Sequence, residues 1–173
     1  TGEQTGEAYR AINPQGRVPS LVVDGETLIQ SPAILEWLDE TYPDPPLLPG
    51  DALARARIRE VCMVIGCDIH PVNNSGLLGR LRALGHDEAT VLAWLTRWMT
   101  EGLDVVERLI DPAPYAFGAL PTMADLYIVP QVFNARRYGV DLTPYPKIRA
   151  VDEVCAGHPA FQAAAPGVQP DAV

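Results

Sequence analysis

The chain has 173 residues, with 13 Lys and Arg against 22 Asp and Glu for a formal charge of −9, and 47% of its residues are apolar. That length accommodates one domain or two small ones around a real core, and that apolar share excludes a disordered chain. The acidic balance argues against nucleic acid or an anionic membrane surface as the main partner, and no apolar run approaches the ~20 residues of a membrane-spanning helix.

The opening stretch, TGEQTGEAYRAINP, has neither the basic start nor the apolar core of a signal peptide, and it begins on loop-like residues without an initiator Met. Arg17 to Ile29 reads as a hairpin, two short β-rich runs flanking Asp24-Gly25, the favoured pair for a tight turn. Pro19 falls at the start of the first run, where a missing N–H is tolerated. A helix follows, with Ser31 as N-cap and Pro32 at the first helical position; Ile34, Leu35 and Leu38 form its apolar face and Pro43 ends it. The segment Thr41 to Gly50, with four prolines in ten positions, reads as a semi-rigid linker. The expected organisation is a domain at 1–42, a linker at 43–50 and a helical domain at 51–173.

Beyond the linker, Asp51 caps a helix whose apolar side runs Ile58, Val61, Cys62, Ile65, Ile69, and Pro71 kinks or breaks it. A second helix starts around Asp87 and carries Leu92, Leu95, Trp98, Leu103, Val106 and Leu109. A third starts at Thr122-Met-Ala-Asp125, a capping-box variant, and its apolar run to Phe133 marks it as central and buried. Gly139 fits its C′ position, and a last helix begins near Pro146. Cys62, Cys67 and Cys155 are odd in number and lack C-x-x-C spacing, which points to a reducing compartment, the cytosol, with Cys62 and Cys155 as core residues.

No P-loop, G-x-G-x-x-G, H-E-x-x-H or G-x-S-x-G is present, and Cys67, Asp68 and His70 read as an ordinary thiol and polar groups near a kink, so no metal is expected. Three polar groupings remain. Gln30-Ser31 runs a strand end into a helix N-terminus, either a carboxylate site or a plain cap. Val18-Pro19, if cis, presents the Val18 backbone to an extended ligand; if trans, it is an edge-strand proline. Asp68-Ile-His70-Pro-Val-Asn73-Asn74 either lines a cleft or is a solvated helix end.

These groupings, in this order, carry a resemblance to the zeta class of glutathione transferases, the maleylacetoacetate and maleylpyruvate isomerases. The matching stretches are Asn13 to Pro19, Gln30-Ser31, Asp68 to Asn74, Thr122 to Leu126, Val129 to Leu142 and Gln169-Pro-Asp171, so the resemblance covers essentially the whole chain. It implies an α/β thioredoxin-like N-terminal domain, an all-α C-terminal domain, glutathione as cofactor and a homodimer. By this resemblance Pro19 is structural, Val18 bonds the cysteinyl backbone of glutathione, Gln30 and Ser31 hold its γ-glutamyl carboxylate, and Gln4 reaches its glycine end. His70 and Asn74 approach it from the helical domain, Arg137 holds a carboxylate of a small dicarboxylate substrate, and Thr122 and Asp125 are structural.

Two departures stand out. Relatives often continue Asn-Asn-Leu-Arg where this chain has Asn73-Asn74-Ser75-Gly76, so an arginine contact is absent there. No residue matches the family's Ser-Ser-Cys type motif, so no catalytic residue is assigned. The first βαβ unit is not in the sequence, and the expectation is a folded molecule containing more chain than these 173 residues. The function implied is glutathione-dependent cis–trans isomerisation of a maleyl keto-diacid to its fumaryl isomer. The rivals are glutathione transfer or dehalogenation of small electrophiles, and a non-catalytic binding module.

Overall fold

Asp24 and Gly25 turn the chain at φ values of 50° and 85°, the left-handed pair that a two-residue hairpin of the primed type requires; glycine takes its place at no steric cost. The strands they join, β1 (Ser20–Val23) and β2 (Glu26–Ile29), run antiparallel with Ser20 opposite Ile29 and Val23 opposite Glu26, the hairpin expected from the sequence. The computed structural model describes residues 2–170, so Asp171 of the closing sequence match lies outside the described residues. The chain divides into two compact units, Thr1–Leu47 and Leu48–Val173. The first holds a short 3-10 turn (Glu3–Thr5), α1 (Glu7–Arg10), the hairpin and α2 (Ser31–Thr41). The second is helical.

In the first unit the start of α2 differs from expectation. Gln30, not Ser31, is the N-cap: its carbonyl accepts the first helical bond from the Ile34 N–H at 3.0 Å, and Pro32 stands one place further in. The cause is the Gln30 backbone at φ 75°, ψ 118°, which ends the non-helical segment one residue earlier than a serine cap does. At the other end, Asp39 is buried on the last turn and accepts the Leu47 N–H at 2.5 Å, tying the proline-rich segment back to α2.

The second unit opens on α3 (Ala52–Met63), where the Asp51 carboxylate accepts the Ala54 N–H at 2.9 Å. Ile58, Val61, Cys62, Ile65 and Ile69 are all buried, as their spacing requires. Pro71 does not break the path. The chain widens into a π turn (Val64–Ile69), with the His70 N–H bonded to the Ile65 carbonyl five residues back, and continues as α4 (His70–Asn73). A widened turn accommodates a residue that lacks an N–H without interrupting the helix. Two further helices had no clear sequence signal: α5 (Ser75–Ala83), capped by the Asn74 side chain at Leu77 N–H (3.1 Å), and α9 (Pro159–Ala164), capped by His158 Nδ1 at Ala160 N–H (3.2 Å).

The helix α6 (Glu88–Leu109) starts at Asp87, whose carboxylate accepts the Thr90 N–H at 2.8 Å. Its buried face is Val91, Leu95, Met99, Leu103 and Val106; Leu92 and Leu109, expected on that face, are exposed. Gly102 is obligatory on packing grounds, because a Cβ there would overlap Ile69 Cγ1 and Cδ1 of the π turn. Behind it α8 (Pro146–Gly157) is capped from α6: the Glu107 carboxylate accepts the Lys147 and Ile148 N–H groups at 2.9 and 3.0 Å.

The helix α7 (Met123–Arg137) starts from the Thr122–Asp125 capping box. The fully buried Asp125 carboxylate accepts three bonds, from the Ala116 N–H (2.9 Å), the Thr122 N–H (2.7 Å) and the Thr122 hydroxyl (2.8 Å). Met123, Ala124, Tyr127, Ile128, Gln131, Val132 and Ala135 are buried, while Phe133 is exposed. Gly139 follows at φ 71° and closes the helix with the Val140 N–H bonded to the Ala135 carbonyl. Among the described residues no helix is long and apolar enough to cross a membrane, and no group of three His, Cys, Asp or Glu side chains is placed to hold a metal ion.

Removing the Asp125 carboxylate leaves three donors without their acceptor. Asp125→Ala is expected to lower unfolding free energy by about 2–4 kcal/mol in denaturant titrations, and a loss within ~0.5 kcal/mol contradicts this role. The thiols give a second check. Burial, with the charges of Asp125 and Asp152, pushes the Cys155 thiol up to about 12; Cys62 is buried and Cys67 exposed. At pH 8 a thiol reagent is therefore expected to label Cys67 rapidly and the other two only after unfolding. Rapid labelling of Cys155 in the folded protein contradicts the packing.

Candidate functional site

In the first unit, the segment before the hairpin is pinned at one carbonyl. Asn13, buried, donates from Nδ2 to the Arg17 carbonyl at 2.6 Å, and the Tyr9 hydroxyl donates to the same oxygen at 3.0 Å while lying 2.8 Å from Ser20 Oγ. The Asn13 Oδ1 accepts the Gln15 N–H at 3.0 Å, an Asx turn that shapes Asn13-Pro-Gln-Gly. The peptide after this anchor, Val18-Pro19, is cis. Val18 is 71% exposed, and neither its N–H nor its carbonyl is engaged in a hydrogen bond among the described residues. A main-chain donor and acceptor at the mouth of a strand, both free, suit an extended peptide-like ligand.

One strand away, Gln30 holds a backbone conformation that a non-glycine residue adopts only at a cost of about 1–3 kcal/mol. Its side chain does not cap its own helix; Nε2 donates instead to Gln15 Oε1 at 2.7 Å. No acidic residue lies in the first turn of α2, and Ser31 is exposed there. The helix start therefore offers N–H groups, a hydroxyl and the positive end of the dipole to an external anion. Gln4 lies in the 3-10 turn, and its carbonyl is 3.1 Å from where a Cβ at Gly16 would stand, next to Gln15. Gln4, Val18, Gln30 and Ser31 thus belong to one unit, knit by Asn13, Gln15 and Tyr9. No local sequence signal points to a role for those last three, although Asn13 and Gln15 sit within the Asn13 to Pro19 stretch.

In the second unit His70 is exposed at the start of α4. Asn74 donates from Nδ2 to the Pro71 carbonyl at 2.7 Å and accepts from the Leu77 N–H, so each polar atom keeps one further valence. Gly76 stands where a Cβ would be 3.1 Å from Asn74 Oδ1. This close approach is the local setting of the Ser75-Gly76 departure. Asn73 differs from its neighbour: it is buried and its side-chain atoms have no hydrogen-bond partner among the described residues.

The two arginines that close α7 are separated by their partners. Arg136 Nη2 pairs with the largely buried Asp152 carboxylate at 2.6 Å. Arg137 forms no ion pair with a described residue; its guanidinium lies over the Tyr138 ring, 5.7 Å from the centroid. Both are exposed at a helix C-terminus, where a cation is favoured. Of the two, Arg137 is the one with no ion-paired donor among the described residues.

Comparison with known proteins agrees with this layout. A family model described as the glutathione S-transferase N-terminal domain matches residues 1–46, and one described as the glutathione S-transferase C-terminal domain matches residues 99–163. A protein of Pseudomonas aeruginosa named maleylacetoacetate isomerase is 53% identical over 171 residues, 98% of this chain and 81% of the relative. A solved holo structure of a maleylpyruvate isomerase, described as a bacterial zeta-class glutathione S-transferase, superposes with a TM-score of 0.94 at 51% identity, covering 99% of this chain and 83% of that one. A maleylacetoacetate isomerase of Anaeromyxobacter dehalogenans, solved with glutathione in its active site, gives a TM-score of 0.88 at 42% identity over 99% of this chain and 81% of that one. The same enzyme with dicarboxyethyl glutathione and citrate bound gives 0.83 at 38% identity over 96% and 78% of the two chains.

The strained Gln30 makes a stability prediction independent of any ligand. Glycine relieves the left-handed backbone and alanine does not, so Gln30→Gly is expected to be more stable than Gln30→Ala by roughly 1 kcal/mol in thermal or chemical unfolding. The reverse order contradicts the observed conformation.

Proposed function

The chain belongs to the glutathione S-transferase family, in its zeta class of maleylacetoacetate and maleylpyruvate isomerases, and from that premise we propose that it is a glutathione-dependent isomerase converting a maleyl keto-diacid to its fumaryl isomer. The observation that carries the reading is the pair of open recognition elements in the first unit. These are the free Val18 main chain and the helix start at Gln30-Ser31, which has no carboxylate of its own. A tripeptide with a backbone to pair and a carboxylate to place fits both.

The residues divide the work as follows. Val18 pairs with the cysteinyl main chain, and the Arg17 carbonyl, fixed by Asn13 and Tyr9, sets the direction from which Val18 presents its groups. Gln30 and Ser31 receive the γ-glutamyl carboxylate, with the N–H groups and dipole of α2 behind them. Gln4 serves the glycine end, and the family resemblance also gives His70 and Asn74 to glutathione. Glutathione, when bound, supplies a thiol that adds reversibly to the maleyl double bond, so that the bond can rotate without glutathione being consumed.

Arg137 holds a carboxylate of the substrate. A guanidinium with no counter-charge among the described residues gains more from an incoming carboxylate than one already paired, which separates it from Arg136. The charge it places beside the substrate also stabilises negative charge that develops as the double bond is activated. The reading includes a homodimer in the cytosol, with a glutathione-binding domain at 1–42, a linker at 43–50 and a substrate-side domain at 51–173. Three cysteines without C-x-x-C spacing suit that reducing compartment.

Arg137→Ala is expected to lower kcat/KM for the maleyl diacid at least tenfold, the scale of one lost charge-assisted contact, while leaving glutathione affinity within about twofold. An uncharged electrophile should be turned over equally well by both proteins. Equal loss toward the two classes of substrate removes Arg137 from carboxylate binding. Side-by-side kcat/KM for maleylacetoacetate and maleylpyruvate then assigns the physiological diacid.

A further inference from the structure

We propose that Tyr138 is a positioning residue whose ring fixes the orientation of the Arg137 guanidinium, and that the corner between α5 and α6 holds that ring in place. This rests on the reading of Arg137 as the carboxylate-binding residue. Arg137 is exposed at the end of α7 and has no ion pair with a described residue, and a free arginine side chain there samples many rotamers. The contact that orients it is the stacking over Tyr138, with Cζ 5.7 Å from the ring centroid.

Tyr138 itself is half-buried. It is the C-cap of α7, its backbone fixed by the N–H bond to the Asn134 carbonyl at 3.2 Å. Its side chain lines a hollow of about 150 Å³ together with Leu78, Val91, Leu92 and Leu95, and with Arg82 and Glu88. Those last two are locked to each other by a bidentate pair, Nε to Oε1 at 2.5 Å and Nη2 to Oε2 at 2.8 Å, which joins the end of α5 to the start of α6. Tyr138 thus borders the same hollow as these aliphatic side chains and the solvent-exposed Arg82–Glu88 pair, and its ring offers a π surface to Arg137. The hydroxyl is not needed for either contact; the ring is.

A cation–π contact at an exposed site corresponds to roughly a two- to fivefold change in an equilibrium constant. The test uses the full-length enzyme with saturating glutathione. Tyr138→Leu keeps an apolar side chain in the hollow but removes the ring, and Tyr138→Phe keeps the ring. The expected result is a KM for the maleyl diacid raised roughly two- to fivefold in Tyr138→Leu, with kcat and glutathione affinity unchanged, and wild-type values restored in Tyr138→Phe. In an Arg137→Ala background, Tyr138→Leu should add nothing, as coupled residues do. An undiminished Tyr138→Leu effect in that background, a Phe variant as impaired as Leu, or equal loss toward an uncharged electrophile overturns the proposal. If Arg137→Ala raises KM and Tyr138→Leu does not, the positioning role fails and the carboxylate role stands. If Arg137→Ala itself leaves KM unchanged, the underlying reading fails instead.

Discussion

A carboxylate buried without a cation must be surrounded by donors, and in this protein that requirement sets the position of the central helix. Asp125 is fully buried and accepts from two backbone N–H groups and a hydroxyl, so the Ala116 loop, Thr122 and the first turn of α7 cannot separate without stranding a charge. Its field reaches further: burial chiefly, and then the charges of Asp125 and Asp152, suppress ionisation of the Cys155 thiol. From that fixed start α7 runs past Gly66, where a Cβ would be 3.1 Å from the Tyr127 ring. The helix ends at Arg136 and Arg137. Where Arg137 stands is therefore decided at Asp125, about three turns earlier on the same helix, by an interaction with no chemistry of its own.

The first unit solves a similar problem with neutral groups. Two side chains, from Asn13 and Tyr9, converge on one carbonyl, Arg17, and so hold the approach to β1 in one path. The Asx turn that Asn13 makes with Gln15 places the Gln15 amide where Gln30 can bond it. Gln30 is thereby held in a backbone conformation it would not choose alone, with its helix left without a side-chain cap. Strain maintained in this way persists only where surrounding contacts over-determine it, and it is common where a ligand completes the site. The recognition elements proposed for glutathione are those the local packing leaves unsatisfied.

Much of this was legible in the sequence because the signals were local. Asp24-Gly25 specifies its hairpin through the φ values of two adjacent residues, and Thr122 to Asp125 specifies a helix start within one turn. The buried face of α3 followed from spacing alone. The features that escaped depend on partners far along the chain. Gln30 replaces Ser31 as the cap through its positive-φ backbone, while its side-chain amide bonds Gln15, fifteen residues earlier. The helix α5 begins Ser75-Gly76, poor helix formers, and its cap Asn74 reads from sequence either as part of a cleft or as local bonding at a helix end; the structure shows the local capping contact. His158 caps α9 through a ring nitrogen, outside the usual set of capping residues. Pro71 reads as a residue that kinks or breaks the helix, and the structure places a π turn just before it. Arg136 and Arg137 are adjacent and chemically identical, and only the position of Asp152 separates them.

The central claim is that this site uses glutathione without consuming it. The direct measurement is a turnover experiment on the full-length enzyme with the maleyl diacid in large excess over glutathione, following the maleyl chromophore and the free thiol together. Complete conversion to the fumaryl isomer with the thiol concentration unchanged is expected. Loss of one glutathione for each substrate converted, or no turnover at all, would contradict it.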